Sequence, residues 1–180
     1  MDYTIDCVRH GGTIHTCYNE TDPMRAQFIC TIAALQVIPD SGLSYQRQVA
    51  KRRLPDKFNV CLDVVHMAQT FNLDPALVAA ISLVESKFEM GAVSSSGAVG
   101  PLQILPEYHC PDGDVSKCNL LYHGAKAVQK FLNRYPEDEL EMLCHYNSGT
   151  VCNKKSREYA RIVMSYKLKI DTALYLWLEN

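Results

Sequence analysis

The stretch NLDPALVAAISLVESKF, residues 72–88, decides the fold. Asp74 followed by Pro75 is typical of a helix start, because the aspartate caps free backbone amides and proline suits the first helical position. Apolar residues then recur at helical spacing, which predicts a helix to about Phe88 with one buried face. The residues of this face are Leu77, Ala80, Ile81 and Val84.

Helical patterns continue on both sides of this segment, and no region is rich in strand signals. Residues 89–120 are rich in Gly, Ser and Pro and should be mainly loop, with one short strand or turn at residues 102–104. The sequence therefore predicts an all-α protein, mainly α with at most a small β element. The predicted helices cover about residues 23–37, 56–71, 75–88, 120–135, 136–145 and 156–178, and residues 40–54 are ambiguous.

Size and charge exclude several classes of protein. A chain of 180 residues fits one domain, or one domain with a short extension. A net charge of -2 provides no basic surface for nucleic acid. The longest apolar stretch, residues 28–38, is too short and too interrupted to span a bilayer, so we expect no integral membrane segment. No export signal is visible at the start of the chain.

The eight cysteines favour disulfides in an oxidising compartment. Three pairs bracket short segments that a disulfide could close, and Cys30 with Cys61 then remains by elimination. The alternative for Cys30 and Cys61 is two buried thiols on apolar helix faces. The three bracketing pairs are Cys7 with Cys17, Cys110 with Cys118, and Cys144 with Cys152.

A zinc site is the weaker interpretation of the cysteines, because no closely spaced C-x2-C pair is present. We therefore expect no metal and no other cofactor. The one candidate zinc cluster consists of Cys7, His10, His15 and Cys17.

Glu85 lies at the edge of the apolar face, in the last turns of its predicted helix. The negative end of the helix dipole and apolar neighbours both disfavour the ionised carboxylate, as a general acid near neutral pH requires. The alternative is a solvated glutamate beside Lys87. Glu85 is a candidate that needs support from other segments.

Two later segments carry groups suited to sugars. In residues 97–104 the glycines allow a ligand close to the backbone, and Gln103 offers both donors and acceptors. In residues 146–149, Tyr146 and Asn147 can stack on and hydrogen-bond to a pyranose ring. Taken singly, the first segment is equally well a turn and the second a helix end capped by Gly149.

Together and in this order, these segments closely resemble the lytic transglycosylase (SLT) family, relatives of goose-type lysozymes. The resemblance covers about residues 72–165 and differs from the usual pattern at Pro101-Leu102, where Leu-Met is common, and at His145, where Ala is common. We expect these differences to adjust the shape of the groove. The segments that carry it are residues 77–81, 85–88, 97–104, 145–149 and 157–163.

The resemblance implies a lysozyme-like fold with a substrate groove and Glu85 as the catalytic acid/base. It also implies cleavage of the β-1,4 bond between N-acetylmuramic acid and N-acetylglucosamine with a 1,6-anhydro product. The residues expected to bind the sugars are Gln103, Tyr146, Asn147 and Tyr159, with Ser94 of the serine triplet as a further candidate.

The reaction type depends on a second carboxylate. An inverting hydrolase needs one roughly 6.5 to 9.5 Å from the acid, and a retaining hydrolase needs one at about 5 Å. Residues 90–106 contain no Asp or Glu, which favours a single catalytic Glu85. Glu89 is the nearest alternative if the helix continues, since it would lie one turn on. The more distant candidates are Glu107, Asp112 and Asp114.

Two other functions stay open on the sequence alone. One is a hydrolase of the goose-type lysozyme kind, and the other is an inactive glycan-binding or structural module. The presence of Glu85 with Gln103, Tyr146 and Asn147 argues against the second.

Domain organisation and biology are expected as follows. Residues 1–55 form a partly helical N-terminal extension without assignment, and residues 56–180 form the transglycosylase domain. The partners are peptidoglycan glycan strands, and the protein acts outside the cytoplasm, in the periplasm, secreted or delivered by a virion. A phage particle is slightly favoured over secretion or conjugation machinery as the delivery system.

Overall fold

The computed structural model describes residues 9–10, 13–14, 23–37 and 44–179, and the side chains of residues 23–37 and 53–179. This part of the chain contains seven α-helices, two 3₁₀ turns and one antiparallel pair of two-residue strands. The strands pair Arg9 with Ile14 and His10 with Thr13. The elements are β1 (Arg9–His10), β2 (Thr13–Ile14), α1 (Pro23–Leu35), α2 (Ser44–Thr70), α3 (Pro75–Ser86), α4 (Pro106–His109), α5 (Leu120–Arg134), α6 (Glu139–Ser148) and α7 (Lys154–Leu178).

Helix α3 is the centre of the fold. It begins as the sequence predicts, with an Oδ1 atom of Asp74 accepting a hydrogen bond from the Ala76 amide at 2.9 Å and with Pro75 at the first position. Every side chain from Ala76 to Leu83 is buried. Helices α1, α2 and α7 pack around α3, so the all-α, lysozyme-like prediction is confirmed.

The remaining helices build outward from this core. Helix α6 packs on α7, and α5 packs against both α2 and α6. Burial of the apolar stripe of each helix supplies the main stabilising term for such a fold. Among the described residues, no helix combines the length and the apolarity needed to cross a bilayer.

Helix α2 differs most from the sequence prediction. It begins at Ser44 and continues through Pro55, whereas the sequence indicated a helix only from about residue 56. The predicted boundary between residues 55 and 56 therefore falls within one continuous helix. Side chains of α1 also join the same core as α3, among them Ile29 and Ala33. The division into two units stays a prediction.

Three of the four expected disulfides are present. Cys30 and Cys61 join α1 to α2, so these two are not free thiols. The other two close the loops between Cys110 and Cys118 and between Cys144 and Cys152. The fourth expected pair and the candidate zinc cluster lie outside the described side chains. The residues concerned are Cys7, His10, His15 and Cys17.

Candidate active site

Glu85 occupies the penultimate position of α3 and is half-buried. Burial raises the pKa of the Glu85 carboxyl from 4.5 to about 7, and the neighbouring Tyr159 hydroxyl lowers it by a smaller amount. A carboxyl group with a pKa near 7 is protonated often enough at neutral pH to donate a proton, and its conjugate base is strong enough to take one back.

Two tyrosines from distant parts of the chain face Glu85. Burial followed by the charge of Glu85 raises the pKa of both Tyr146 and Tyr159 well above the ordinary value, so both remain neutral. The Tyr146 hydroxyl donates to the Leu102 carbonyl at 2.6 Å. The buried Tyr159 hydroxyl completes no well-formed hydrogen bond in the described part of the chain, although it lies close enough to Glu85 to affect its pKa.

Helix α3 ends abruptly just after Glu85. Lys87 and Phe88 both adopt left-handed backbone conformations, with φ of 55° and 59°, which end the helix two residues before the predicted end. Such a conformation is strained for residues other than glycine and persists where contacts hold it. The buried Phe88 ring, 1% exposed, supplies one such contact.

Ser86 fastens the helix end to residues 92–104, the glycine-rich loop. Its hydroxyl lies 3.0 Å from the Pro101 carbonyl and 3.2 Å from the Ser82 carbonyl, and accepts a hydrogen bond from the Glu89 amide at 3.1 Å. The loop that carries Pro101 is therefore held directly beside Glu85.

Residues 92–104 form a compact loop whose own side chains hold it closed. The Gln103 side-chain amide donates to the Gly100 carbonyl at 2.9 Å and to the Ala92 carbonyl at 3.3 Å. The Ser94 hydroxyl accepts from the Ala98 amide at 3.0 Å. Gln103 and Ser94 thus shape the loop. Isolated strand bridges join Val99 to residues 93 and 104, matching the small β element predicted here.

Helix α5 packs closely against residues 100–102 of this loop. A Cβ atom at Gly124 would lie 2.7 Å from the Cδ1 atom of Leu102, and one at Gly100, where φ is 77°, would lie 2.9 Å from the Cδ1 atom of Leu120. Leu102 is buried and its carbonyl accepts the Tyr146 hydroxyl. The two glycines allow the close approach of α5 that places Leu102, and through it Tyr146.

The other carboxylates near the site in sequence are engaged elsewhere or exposed. Because α3 ends at Ser86, the condition that would put Glu89 one helical turn from Glu85 is not met. Glu89 instead pairs with Lys57 at 3.1 Å and Arg53 at 3.6 Å.

The acids of the following loop are similarly accounted for. Asp114 accepts from Ser116 and lies 3.6 Å from Lys117, and Asp112 lies 3.8 Å from Lys117. Glu107 is exposed on α4. Glu107 and Asp112 are exposed, whereas Glu85 is half-buried.

Asn147 and His145 flank Tyr146 on α6. The Asn147 side chain is exposed. The His145 ring stacks on Tyr135 with centroids 4.7 Å apart, and its Nδ1 and Nε2 atoms contact the Gly149 carbonyl and Glu141. His145 therefore belongs to the packing between helices.

One group in the described residues has the spacing of a metal site, namely Glu141, His145 and Cys152. The Cys152 sulfur is bonded to Cys144, so it offers no thiolate ligand. The donor set does not fit a metal.

Ser86 and Lys57 also belong to this region, and the sequence did not predict a role for either. Ser86 belongs to the motif that follows Glu85, but its bond to Pro101 joins distant segments. Lys57 is only 8% exposed and lies four residues before the buried Cys61. A lysine on the apolar face of α2 is uncommon, and this was the sequence feature that could have indicated a buried, paired lysine.

The transglycosylase SLT domain family matches residues 64–168, which is more than half of the chain. The chain belongs to this family. The matched segment of the SLT domain includes Glu85, the loop at residues 92–104 and both tyrosines. Comparison with individually curated proteins gave no match. The family cleaves glycans and acts on peptidoglycan, outside the cytoplasm, and the disulfides of this SLT domain are compatible with such a location.

Proposed function

We propose that this SLT domain is a peptidoglycan lytic transglycosylase that cleaves the β-1,4 bond between N-acetylmuramic acid and N-acetylglucosamine. The observation that carries the proposal is the half-buried Glu85 carboxyl at the end of α3, which Tyr146 and Tyr159 face and whose pKa is raised to about 7. A carboxyl of this kind suits a residue that first donates and then accepts a proton at the same site.

Glu85 acts twice in the proposed reaction. The protonated carboxyl gives its proton to the glycosidic oxygen, the bond from that oxygen to C1 of the muramic residue breaks, and the N-acetylglucosamine end leaves as an alcohol. The acetamido group of the substrate stabilises the positive charge at C1. The Glu85 carboxylate then takes the proton of the C6 hydroxyl while O6 bonds to C1, which closes the 1,6-anhydro ring and restores the acid.

The surroundings of Glu85 support one catalytic carboxylate. Residues 90–106, which include the loop fastened beside Glu85, contain no Asp or Glu. Glu89 is held by Lys57 and Arg53. A two-carboxylate hydrolase places its second acid at a defined short distance across the substrate. The described residues near Glu85 offer tyrosine hydroxyls and backbone groups instead.

The sugar-binding roles divide between direct and supporting residues. Asn147 is exposed beside Tyr146 and would bind an N-acetyl group, and Tyr159 would contact both Glu85 and the sugar. Gln103 and Ser94 hold the loop backbone that the sugar would contact. We further propose that residues 56–180 form the catalytic unit and that a phage particle or a secretion machine delivers it to the wall.

The test is product analysis on purified peptidoglycan in ¹⁸O-labelled water by mass spectrometry. We expect 1,6-anhydro ends without label from the parent, a loss of at least about 1,000-fold in rate for Glu85→Gln, and unchanged activity for the matched control Glu107→Gln.

The other outcomes assign other functions. Labelled reducing ends would establish a lysozyme-like hydrolase. Binding to peptidoglycan without any product from the parent would establish a glycan-binding module. Equal activity of Glu85→Gln and the parent would remove Glu85 from the mechanism.

A further inference from the structure

Lys57 is a buried lysine that reaches the end of the catalytic helix from a neighbouring helix. It lies on α2, outside the residues that match the family. Its Nζ atom donates to the Lys87 carbonyl at 2.6 Å and to the Glu89 carboxylate at 3.1 Å. A lysine this buried is uncommon unless its charge is satisfied, and both bonds go to the turn that follows Glu85.

The hydrogen bond from Lys57 to the Lys87 carbonyl stabilises a strained backbone turn. The Lys87 carbonyl belongs to the left-handed turn, where the last carbonyl groups of α3 no longer have helical partners. A cation at the C-terminal end of a helix also interacts favourably with the helix dipole. Lys57 therefore helps to hold the direction in which the chain leaves Glu85.

The second bond connects α2 to the glycine-rich loop through a short series of contacts. Lys57 binds the Glu89 carboxylate, the Glu89 amide donates to the Ser86 hydroxyl, and that hydroxyl bonds to the Pro101 carbonyl. These contacts join Lys57 to Ser86, which is the chain neighbour of Glu85, and to Pro101 on the glycine-rich loop.

We propose that Lys57 is a positioning residue, which through the Lys87 carbonyl and Glu89 fixes the Glu85 carboxyl against the glycine-rich loop and keeps the Glu89 carboxylate away from it. The proposal rests on the proposed function for its effect on rate. It adds a residue of α2 that touches neither the substrate nor the reacting atoms.

The test compares Lys57→Met with Arg53→Met. Arg53 lies one turn earlier on the same helix, is largely exposed and contacts Glu89 at 3.6 Å, so it is a control for loss of a cation near that carboxylate. We expect kcat for release of wall fragments to fall at least about 10-fold in Lys57→Met with KM within about 3-fold, since displaced catalytic groups lose rate more than binding. Arg53→Met should stay within about 2-fold of the parent, and Lys57→Arg should recover part of the loss.

A second readout does not require activity. The Glu85 carboxyl is titrated by ¹³C NMR in each folded variant, below the melting temperature found by circular dichroism. We expect its midpoint to rise above about 7 in Lys57→Met, because the released Glu89 carboxylate disfavours ionisation of Glu85, and to stay in place in Arg53→Met. If Lys57→Met does not fold, Lys57→Gln is measured in the same way.

The outcomes separate the two proposals. A folded Lys57→Met with the parental kcat and the parental midpoint overturns the positioning role, as does an equal change in Arg53→Met. A parent that releases no anhydro product overturns the proposed reaction alone, and the NMR midpoint then still decides whether Lys57 positions Glu85.

Discussion

Helix α3 carries a carboxylate at each end, and the environments of the two carboxylates are opposite in their effect on the charge. Asp74 at the start caps the Ala76 amide and pairs with Lys167 at 3.0 Å. Glu85 near the other end is half-buried beside two tyrosines, and this burial raises its pKa. The same chemical group is thus a charged cap at the start of the helix and a carboxyl of raised pKa near its end.

Lys167, the ion-pair partner of Asp74, lies among three carboxylates. Burial lowers the pKa of Lys167, but the nearby Asp74, Asp171 and Glu139 carboxylates raise it by more, so the lysine stays charged. The positive end of the α3 dipole adds to the stabilisation of a charged Asp74. The comparison predicts that removing the two carboxylates changes stability in opposite directions.

Removing the Glu85 charge should have the larger effect. The unfolded chain ionises near pH 4.5 and the folded chain near 7, so stability falls as the pH rises through this window and the cost is complete above it. Glu85→Gln should therefore be more stable than the parent by up to about 3 kcal/mol at pH 8 and about equally stable at pH 4. Urea unfolding at both pH values measures this difference, and a destabilised variant at pH 8 would show that Glu85 is not held in a protonating environment.

Removing the Asp74 charge should have the next largest effect and the opposite sign. Asp74→Ala loses a helix cap and an ion pair, which should lower the free energy of unfolding by about 2 kcal/mol at pH 7. The matched control is Asp63→Ala, an exposed position on α2, which should change stability by less than about 0.5 kcal/mol. Equal losses in the two variants, measured by urea unfolding, would mean that Asp74 has no special role at the start of α3.

Changing Tyr159 should have the smallest effect, a change in the pKa of Glu85. The Tyr159 hydroxyl lowers the pKa of Glu85, so Tyr159→Phe should raise it and move the high-pH limb of the rate profile upward by less than about one pH unit. Tyr166→Phe, a partly buried tyrosine of the same helix, should leave the limb in place. The pH dependence of wall-fragment release measures both, and a downward shift in Tyr159→Phe would contradict the assigned contact.

Local signals account for what the sequence predicted correctly. Asp74 and Pro75 fix the start of α3 through contacts within four residues, and the spacing of cysteines around short loops identified two of the three described disulfides directly. The position of Glu85 near a helix end also followed from periodicity alone.

What the sequence did not predict depends on contacts between distant segments. The left-handed turn at Lys87 and Phe88 uses no glycine, so no local signal marks it. Pro55 ordinarily opposes a helix interior, because it lacks an amide proton, yet α2 continues through it. The bonds of Lys57 and the placement of Tyr159 beside Glu85 arise only when the helices pack.

The close packing of α5 against the glycine-rich loop makes one remote position a means of adjusting the site. Any side chain at Gly124 would displace Leu102. The Leu102 carbonyl accepts a hydrogen bond from the Tyr146 hydroxyl, so Tyr146 would shift with it. Gly124 is therefore a position outside the site at which a substitution, by evolution or in the laboratory, would change the shape of the site. Substitutions at Gly124 would move Tyr146, which faces Glu85, without any change in the residues of the site itself.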